Sequence, residues 1–242
     1  MKKFLNGRAI GALFVVTAFL VTYFAFDGLL FKPFVFCSLL MSIAELLSIL
    51  ISSGQFMKAS NGFRAAAICE IVAFVLATIF CLLLDYRVIA LVMIASAVSD
   101  TAAYAIGSIF GKNNRVKALK KVSPNKSWAG FIAAAVVPFA IIYLFAELVF
   151  PDTLATMPQF AFTLGSYAVV AGAVAAIGDL LDSATKRLAK VKDSCEVLAD
   201  KPILKIIERP IKSHGGYMDR FDSTALGLVV FTLIQTIASF LY

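Results

Sequence analysis

The stretch Phe162–Leu181 reads FTLGSYAVVAGAVAAIGDLL, twenty residues whose only charge, Asp179, comes near the end. At a rise of about 1.5 Å per residue, such a run is long enough as a helix to cross a hydrocarbon core of about 30 Å. Six other windows share this character: Ala9–Phe26, Pro33–Ile51, Ala65–Leu84, Val88–Phe110, Ala129–Phe150 and Ser223–Tyr242. With 61% hydrophobic residues among 242, the chain is too apolar for a soluble globule. The expected fold is all-α, a polytopic transmembrane helical bundle of about seven spans. It reads as one integral membrane domain over 1–242, with N-terminal helices in 1–98 and the chemistry-bearing part in 99–242.

Lys and Arg near helix ends stay on the cytoplasmic side, which fixes the expected orientation. Lys2, Lys3 and Arg8 precede the first window and Lys58 and Arg64 follow the second. Six basic residues run from Lys112 to Lys126 and nine from Lys186 to Arg220, whereas the opposite side has only Lys32 and Arg87. Seven spans then put the N-terminus inside, the C-terminus outside and the polar loops in the cytoplasm, at the inner membrane if the cell is bacterial. The first window also resembles the apolar part of a signal peptide. The absence of a small-residue cleavage site around Tyr23 to Asp27 favours a retained helix.

The net charge of +7 is concentrated in Gly111–Trp128 and Asp182–Asp222. Two readings of these clusters stand side by side: a topology signal that also attracts anionic headgroups, or a site for anionic substrates. The four cysteines, Cys37, Cys69, Cys81 and Cys195, form no CxxC pair and read as small packing residues. The single histidine, His214, excludes a multi-histidine metal centre within one chain.

Where the quoted stretch ends, the chain continues as Asp182-Ser183-Ala184-Thr185-Lys186-Arg187 and on to Lys192-Asp193. If the helix also continues, Asp179, Ser183, Lys186 and Asp193 fall on one face and present carboxylates, a hydroxyl and an ammonium together. An aspartate at the end of a membrane helix usually faces a protein interior or a water-filled cavity, which makes Asp179 a site candidate. A solvated helix-end charge paired with Lys186 is the alternative. Before the last window comes SHGGYMDRFD at Ser213–Asp222. Its paired glycines, Gly215 and Gly216, let backbone amides approach a phosphate. Asp219 and Asp222 can point the same way if a helix has begun, and such carboxylates suit Mg²⁺. Arg220 and His214 can meet anionic oxygens, although His214 reads equally well as a loop residue.

Two further segments are less specific. In SPNKSW at Ser123–Trp128, Ser123 and Lys126 either bind a phosphate or, with Trp128, anchor the helix at the interface. In Asp100–Lys112, Ala103, Gly107 and Gly111 recur every four residues as a close-packing seam. Asp100 lies near the expected midplane and needs a partner or a polar cavity, and Glu45 and Glu70 are also intramembrane acids.

Together these segments resemble the phosphatidate cytidylyltransferase family, also called CDP-diglyceride synthetases. The resemblance rests on Ser183-x-x-Lys186-Arg187-x4-Lys192-Asp193 followed by His214-Gly215-Gly216-x-x-Asp219-Arg220-x-Asp222. GDLLDS at Gly178–Ser183, SPNKSW and the Asp100–Lys112 segment accompany them in the same order, so it covers the chain from about Asp100 onward. Two departures stand out. Ala129 precedes Gly130 where the family's segment usually has a glutamate. Twenty residues separate Asp193 from His214, with Lys212-Ser213 in place of the family's Pro-Gly.

The resemblance implies transfer of a cytidylyl group from CTP to phosphatidate or a similar anionic lipid, giving CDP-diacylglycerol and pyrophosphate for phospholipid biosynthesis. The expected cofactor is one or two divalent ions, Mg²⁺, with a monovalent ion as a further option. Asp179 and Asp219 are the first expected metal ligands, with Asp222 and Asp193 behind them. Lys186, Arg187, Lys192 and Arg220 are the expected phosphate clamps, with Ser183, Ser123 and Lys126 as further donors. His214 could protonate or bind pyrophosphate. The expected partners are CTP, the lipid and the membrane, without nucleic acid, and a homodimer is compatible with them. Alternatives are a CDP-archaeol synthase, a polyprenol-type kinase, a transporter using Asp100, Glu45 and Glu70, or a relative without activity.

Overall fold

The computed structural model of the chain describes residues 16–24, 28–54, 56–111, 115–116, 122–123, 126–150, 152, 156–191, 194 and 216–241. Six long helices dominate them: α1 Phe31–Ser53, α2 Asn61–Leu83, α3 Tyr86–Phe110, α4 Trp128–Val149, α5 Pro158–Ala189 and α6 Met218–Leu241. Each is long and apolar enough to cross a membrane, and the chain is a multi-pass membrane protein. Residues 16–24 are helical too; they fall in the first expected window, the rest of which lies outside the described residues. Among the described residues there is no strand, only an isolated bridge between Arg115 and Ser127.

Local chemistry explains the helix ends. Asp85 caps α3 by accepting the Arg87 N–H at 2.8 Å, and Ser127 caps α4 by accepting that of Gly130 at 3.2 Å. Pro158 opens α5, where its missing N–H costs nothing. Gly54, at φ +58°, ends α1 in the left-handed conformation that glycine adopts without strain. The helices outrun the apolar windows mainly at polar ends. α5 continues past Leu181 to Ala189 because Lys186, four residues after Asp182, pairs with it on one face. Its 32 residues extend about 48 Å, so one end projects beyond a core of about 30 Å.

The centre of the bundle is the α5–α6 pair. α6 also touches α1, α2 and α3, and α3 packs along α4. Phe31, Leu39, Leu46, Phe74, Ile89 and Phe231 are fully buried between the helices, while Leu82, Ile132, Val136, Leu144 and Phe240 face outward. That outward apolar surface suits lipid.

Two close contacts set the geometry. The expected seam of Ala103, Gly107 and Gly111 receives α4: a β-carbon on Gly107 would lie 3.6 Å from the Cα of Gly130, and one on Gly130 would lie 3.0 Å from the carbonyl of Ala103. Farther along α4, Pro138 lacks the N–H that would bond to the carbonyl of Ala134. The hydroxyl of Ser99 on α3 donates to that carbonyl instead, at 3.1 Å. Gly172 of α5 packs against the same carbonyl so closely that a β-carbon would collide with it.

Candidate functional site

Gly178 sets where α5 and α6 cross. A β-carbon on it would lie 2.7 Å from the Cα of Ser223, so a side chain there would hold the backbones apart. Ser223 fastens the crossing by donating its hydroxyl to the carbonyl of Ala175 at 3.0 Å. The result brings Asp179 and Asp182 of α5 beside Asp222 of α6, with one carboxylate oxygen from each within 4.8 Å of the others. Asp182 and Asp222 are buried and Asp179 is half-buried.

Two ammonium groups offset this charge. Lys186 pairs with both Asp182 and Asp219, so it joins α5 to α6. Lys126, just before α4, pairs with Asp179, and its backbone carbonyl accepts the Val116 N–H at 3.0 Å. Asp219 Oδ2 accepts the N–H groups of Gly216 at 2.7 Å and Ser194 at 3.0 Å. The Ser194 hydroxyl lies 2.9 Å from the same oxygen and 2.6 Å from Glu45 Oε2, with one proton to share between them.

A cavity of about 560 Å³ opens beside the carboxylates. Asp100, Asp179, Asp219 and Asp222 line its acidic side; Arg115, Ser123 and Lys126 bring basic and hydroxyl groups; Ala103, Tyr104, Gly107 and Phe131 supply an apolar wall. The polar cavity that Asp100 requires is therefore present. Asp182 Oδ1 is buried without a hydrogen-bond partner among the described residues. Three converging carboxylates, one with an orphaned buried oxygen, form a hard all-oxygen donor set that fits a divalent cation.

Of the residues singled out in the sequence, Asp179, Asp219, Asp222, Ser123 and Lys126 come together on the cavity. Lys186 sits behind the wall between two carboxylates, and Gly216 turns its N–H to Asp219. Ser183 is half-buried on α5, outside the cavity lining. Arg187 and Arg220 are exposed, the latter within electrostatic range of Asp100. Lys192, Asp193, His214 and Gly215 lie outside the described residues, as does most of the insertion before His214.

The structure adds Asp182, Arg115 and Ser194. Asp182 was detectable as a charge three residues after Asp179 and four before Lys186. Arg115 was visible only as one charge within a basic cluster. Ser194 has no local signal, because its partners are Glu45 and Asp219.

The sequence profile of the cytidylyltransferase family matches residues 2–238. This chain belongs to the cytidylyltransferase family. It is similar to a phosphatidate cytidylyltransferase of Haemophilus influenzae, 31% identical over 134 residues, which is 55% of this chain and 40% of the relative. One from Aquifex aeolicus is 31% identical over 138 residues, 57% of this chain and 43% of the relative. One from Staphylococcus aureus is 32% identical over 143 residues, 57% and 45% of the respective chains. The matched segment thus spans less than half the length of these relatives. No solved structure matches the chain.

Proposed function

We propose that the chain transfers a cytidylyl group from CTP to the phosphate of phosphatidate, giving CDP-diacylglycerol and pyrophosphate. The observation that carries this reading is the group of Asp179, Asp182 and Asp222, of which Asp179 and Asp222 line a cavity that also holds Arg115, Ser123 and Lys126 while Asp182 stands buried behind them, within a bundle of membrane-crossing helices. Membership in the cytidylyltransferase family and similarity to relatives named phosphatidate cytidylyltransferase support it.

Two anions must meet in this reaction, so the site has mainly to neutralise charge and orient its substrates. Asp179, Asp182 and Asp222 would hold one or two divalent ions, Mg²⁺ in our reading. Asp219 stands outside that group, with Lys186 on one oxygen and the Gly216 and Ser194 N–H groups on the other, and would join as a ligand only by releasing Lys186. When bound, such an ion polarises the nucleotide phosphates and offsets the charge of the leaving pyrophosphate. Lys126 and Arg115 receive the lipid phosphate, with the Ser123 hydroxyl as a further donor. A lipid phosphate oxygen forms the new bond to the α-phosphorus, and the bond from that phosphorus to the bridging oxygen of pyrophosphate breaks. The lipid phosphate is already anionic near neutral pH, so no separate base is required. Lys186 fixes Asp182 and Asp219 relative to each other. The apolar wall of Ala103, Tyr104 and Phe131 suits acyl chains arriving from the bilayer, and CTP arrives from the cytoplasm.

The test is incubation of the purified chain in detergent with CTP labelled at its α-phosphate, phosphatidate and Mg²⁺. Label entering lipid with release of pyrophosphate is the expected result, abolished by chelation. Release of CDP with unlabelled lipid would make the chain a kinase, and no turnover would refute the proposal.

A further inference from the structure

Glu45 lies on α1, outside the signature segments, and has no exposed surface. Burying a carboxylate in such a place is costly unless its oxygens are hydrogen-bonded. Its partners are Ser194 and the residues that open α6, the two chain segments flanking 195–215. Oε1 accepts the Tyr217 N–H at 2.8 Å and Oε2 the Met218 N–H at 2.9 Å. N–H groups at the start of a helix have no carbonyl of that helix to bond, and the positive end of the helix dipole favours a carboxylate there. Oε2 is also 2.6 Å from the Ser194 hydroxyl. Gly216 fits only because it has no side chain: a β-carbon would collide with both the Ser194 hydroxyl and the Glu45 carboxylate.

The same two segments hold Asp219, whose Oδ2 receives the N–H groups of Ser194 and Gly216. Glu45 therefore grips the first turn of α6 from one side while Ser194 spans from Glu45 to Asp219. Asp222, three residues after Asp219, belongs to the same opening stretch of helix, so its approach to Asp179 and Asp182 depends on how that turn is rotated. On the cytidylyl-transfer reading of the site, we infer that Glu45 is a positioning residue that acts through Ser194 and the start of α6 to aim Asp219 and Asp222.

Two variants of the full chain test this. Glu45→Gln keeps the size but exchanges one acceptor oxygen for an amide donor. Ser194→Ala is milder, removing only the hydroxyl between Glu45 and Asp219. The first readout is amide hydrogen exchange over 216–222 in detergent, which does not depend on any turnover; the second is the Mg²⁺ concentration giving half-maximal rate. A merely smaller folded fraction would lower the rate but leave that midpoint where it was.

Glu45→Gln is expected to speed exchange at Gly216–Met218, to raise the Mg²⁺ midpoint about tenfold and to lower kcat about 10- to 100-fold, the scale of a small misplacement of catalytic groups. KM for phosphatidate should change by less than about threefold, since the lipid is held elsewhere. The double variant should be no worse than Glu45→Gln, because both act through one network. Unchanged exchange in Glu45→Gln, an unchanged Mg²⁺ midpoint despite faster exchange, or additive effects in the double variant would each overturn the inference. If Glu45→Gln does not fold, an unchanged midpoint in Ser194→Ala overturns it and a raised one supports it. A wild-type chain that makes no CDP-lipid would sink the reaction assignment alone, and the exchange data would still decide whether Glu45 holds α6.

Discussion

The Cα of Ser223 lies 2.7 Å from the point a β-carbon on Gly178 would occupy, and this closeness lets carboxylates from two helices reach one place. Gly178→Ala puts a methyl group against backbone, which cannot rotate away as a side-chain tip can. α6 must shift, and overpacking of this kind typically costs about 1–3 kcal/mol. The expected outcome is a chain that still inserts, melts a few degrees lower and loses activity about 100-fold, because a small shift separates Asp222 from Asp179 and Asp182. A melting curve beside a rate measurement checks it; normal activity would show that the crossing does not set the cluster.

Asp182 and its neighbour Ser183 provide a sharper contrast. Neither residue lines the cavity, but Asp182 belongs to the carboxylate cluster and has a buried oxygen without a hydrogen-bond partner among the described residues, whereas Ser183 is half-buried and outside that cluster. Asp182→Asn should reduce metal-dependent turnover by about 100-fold or more and raise the Mg²⁺ requirement. Ser183→Ala should change the rate by less than about threefold, as expected for a side chain that meets neither metal nor substrate. Mg²⁺ titrations of the two variants check the ranking, and the reverse order would move the site to the other flank of α5.

That contrast also marks how far the sequence could be read. Six apolar windows locate six helices because a backbone in lipid must satisfy its hydrogen bonds within the segment; only the polar ends are misjudged, since hydropathy sees charge and not the Asp182–Lys186 pair that carries α5 onward. The face of α5 bearing Asp179 is legible as well. At about 100° per residue, Ser183 lies some 40° to one side of Asp179 and Asp182 some 60° to the other, so spacing alone does not decide which flank meets α6. That decision belongs to Gly178 and Ser223, more than forty positions apart. Glu45 is harder still. It reads as an isolated intramembrane acid because its partners, Ser194, Tyr217 and Met218, follow about 150 positions or more later in the chain.

Lys186 touches carboxylates on two helices, so its loss has a distinctive pattern. Lys186→Met leaves Asp182 and Asp219 without their shared cation, and removing one partner of a buried ion pair costs about 3–5 kcal/mol. Adding Asp219→Asn should recover part of that stability by removing one of the stranded charges, while activity stays lost. Thermal melting of the single and double variants in the same detergent checks this. A double variant less stable than Lys186→Met would show that the ammonium's main role is not charge balance.

The carbonyl of Ala134 offers a test of the fold apart from the chemistry. Pro138 cannot donate to it, and the Ser99 hydroxyl does so at 3.1 Å. Ser99→Ala therefore strands a buried acceptor, and a loss of about 1 kcal/mol, a melting shift of about 2–4 °C for a chain of this size, is expected. Pro138→Ala restores an N–H at the position that bonds the i−4 carbonyl, so the same Ser99→Ala change should cost less than half as much in that background. The two substitutions are then non-additive because they compete to supply one acceptor. A double-mutant cycle on melting temperature reads this directly; strictly additive shifts would mean that Ser99 stabilises the α3–α4 contact through packing and not through the carbonyl that proline leaves bare.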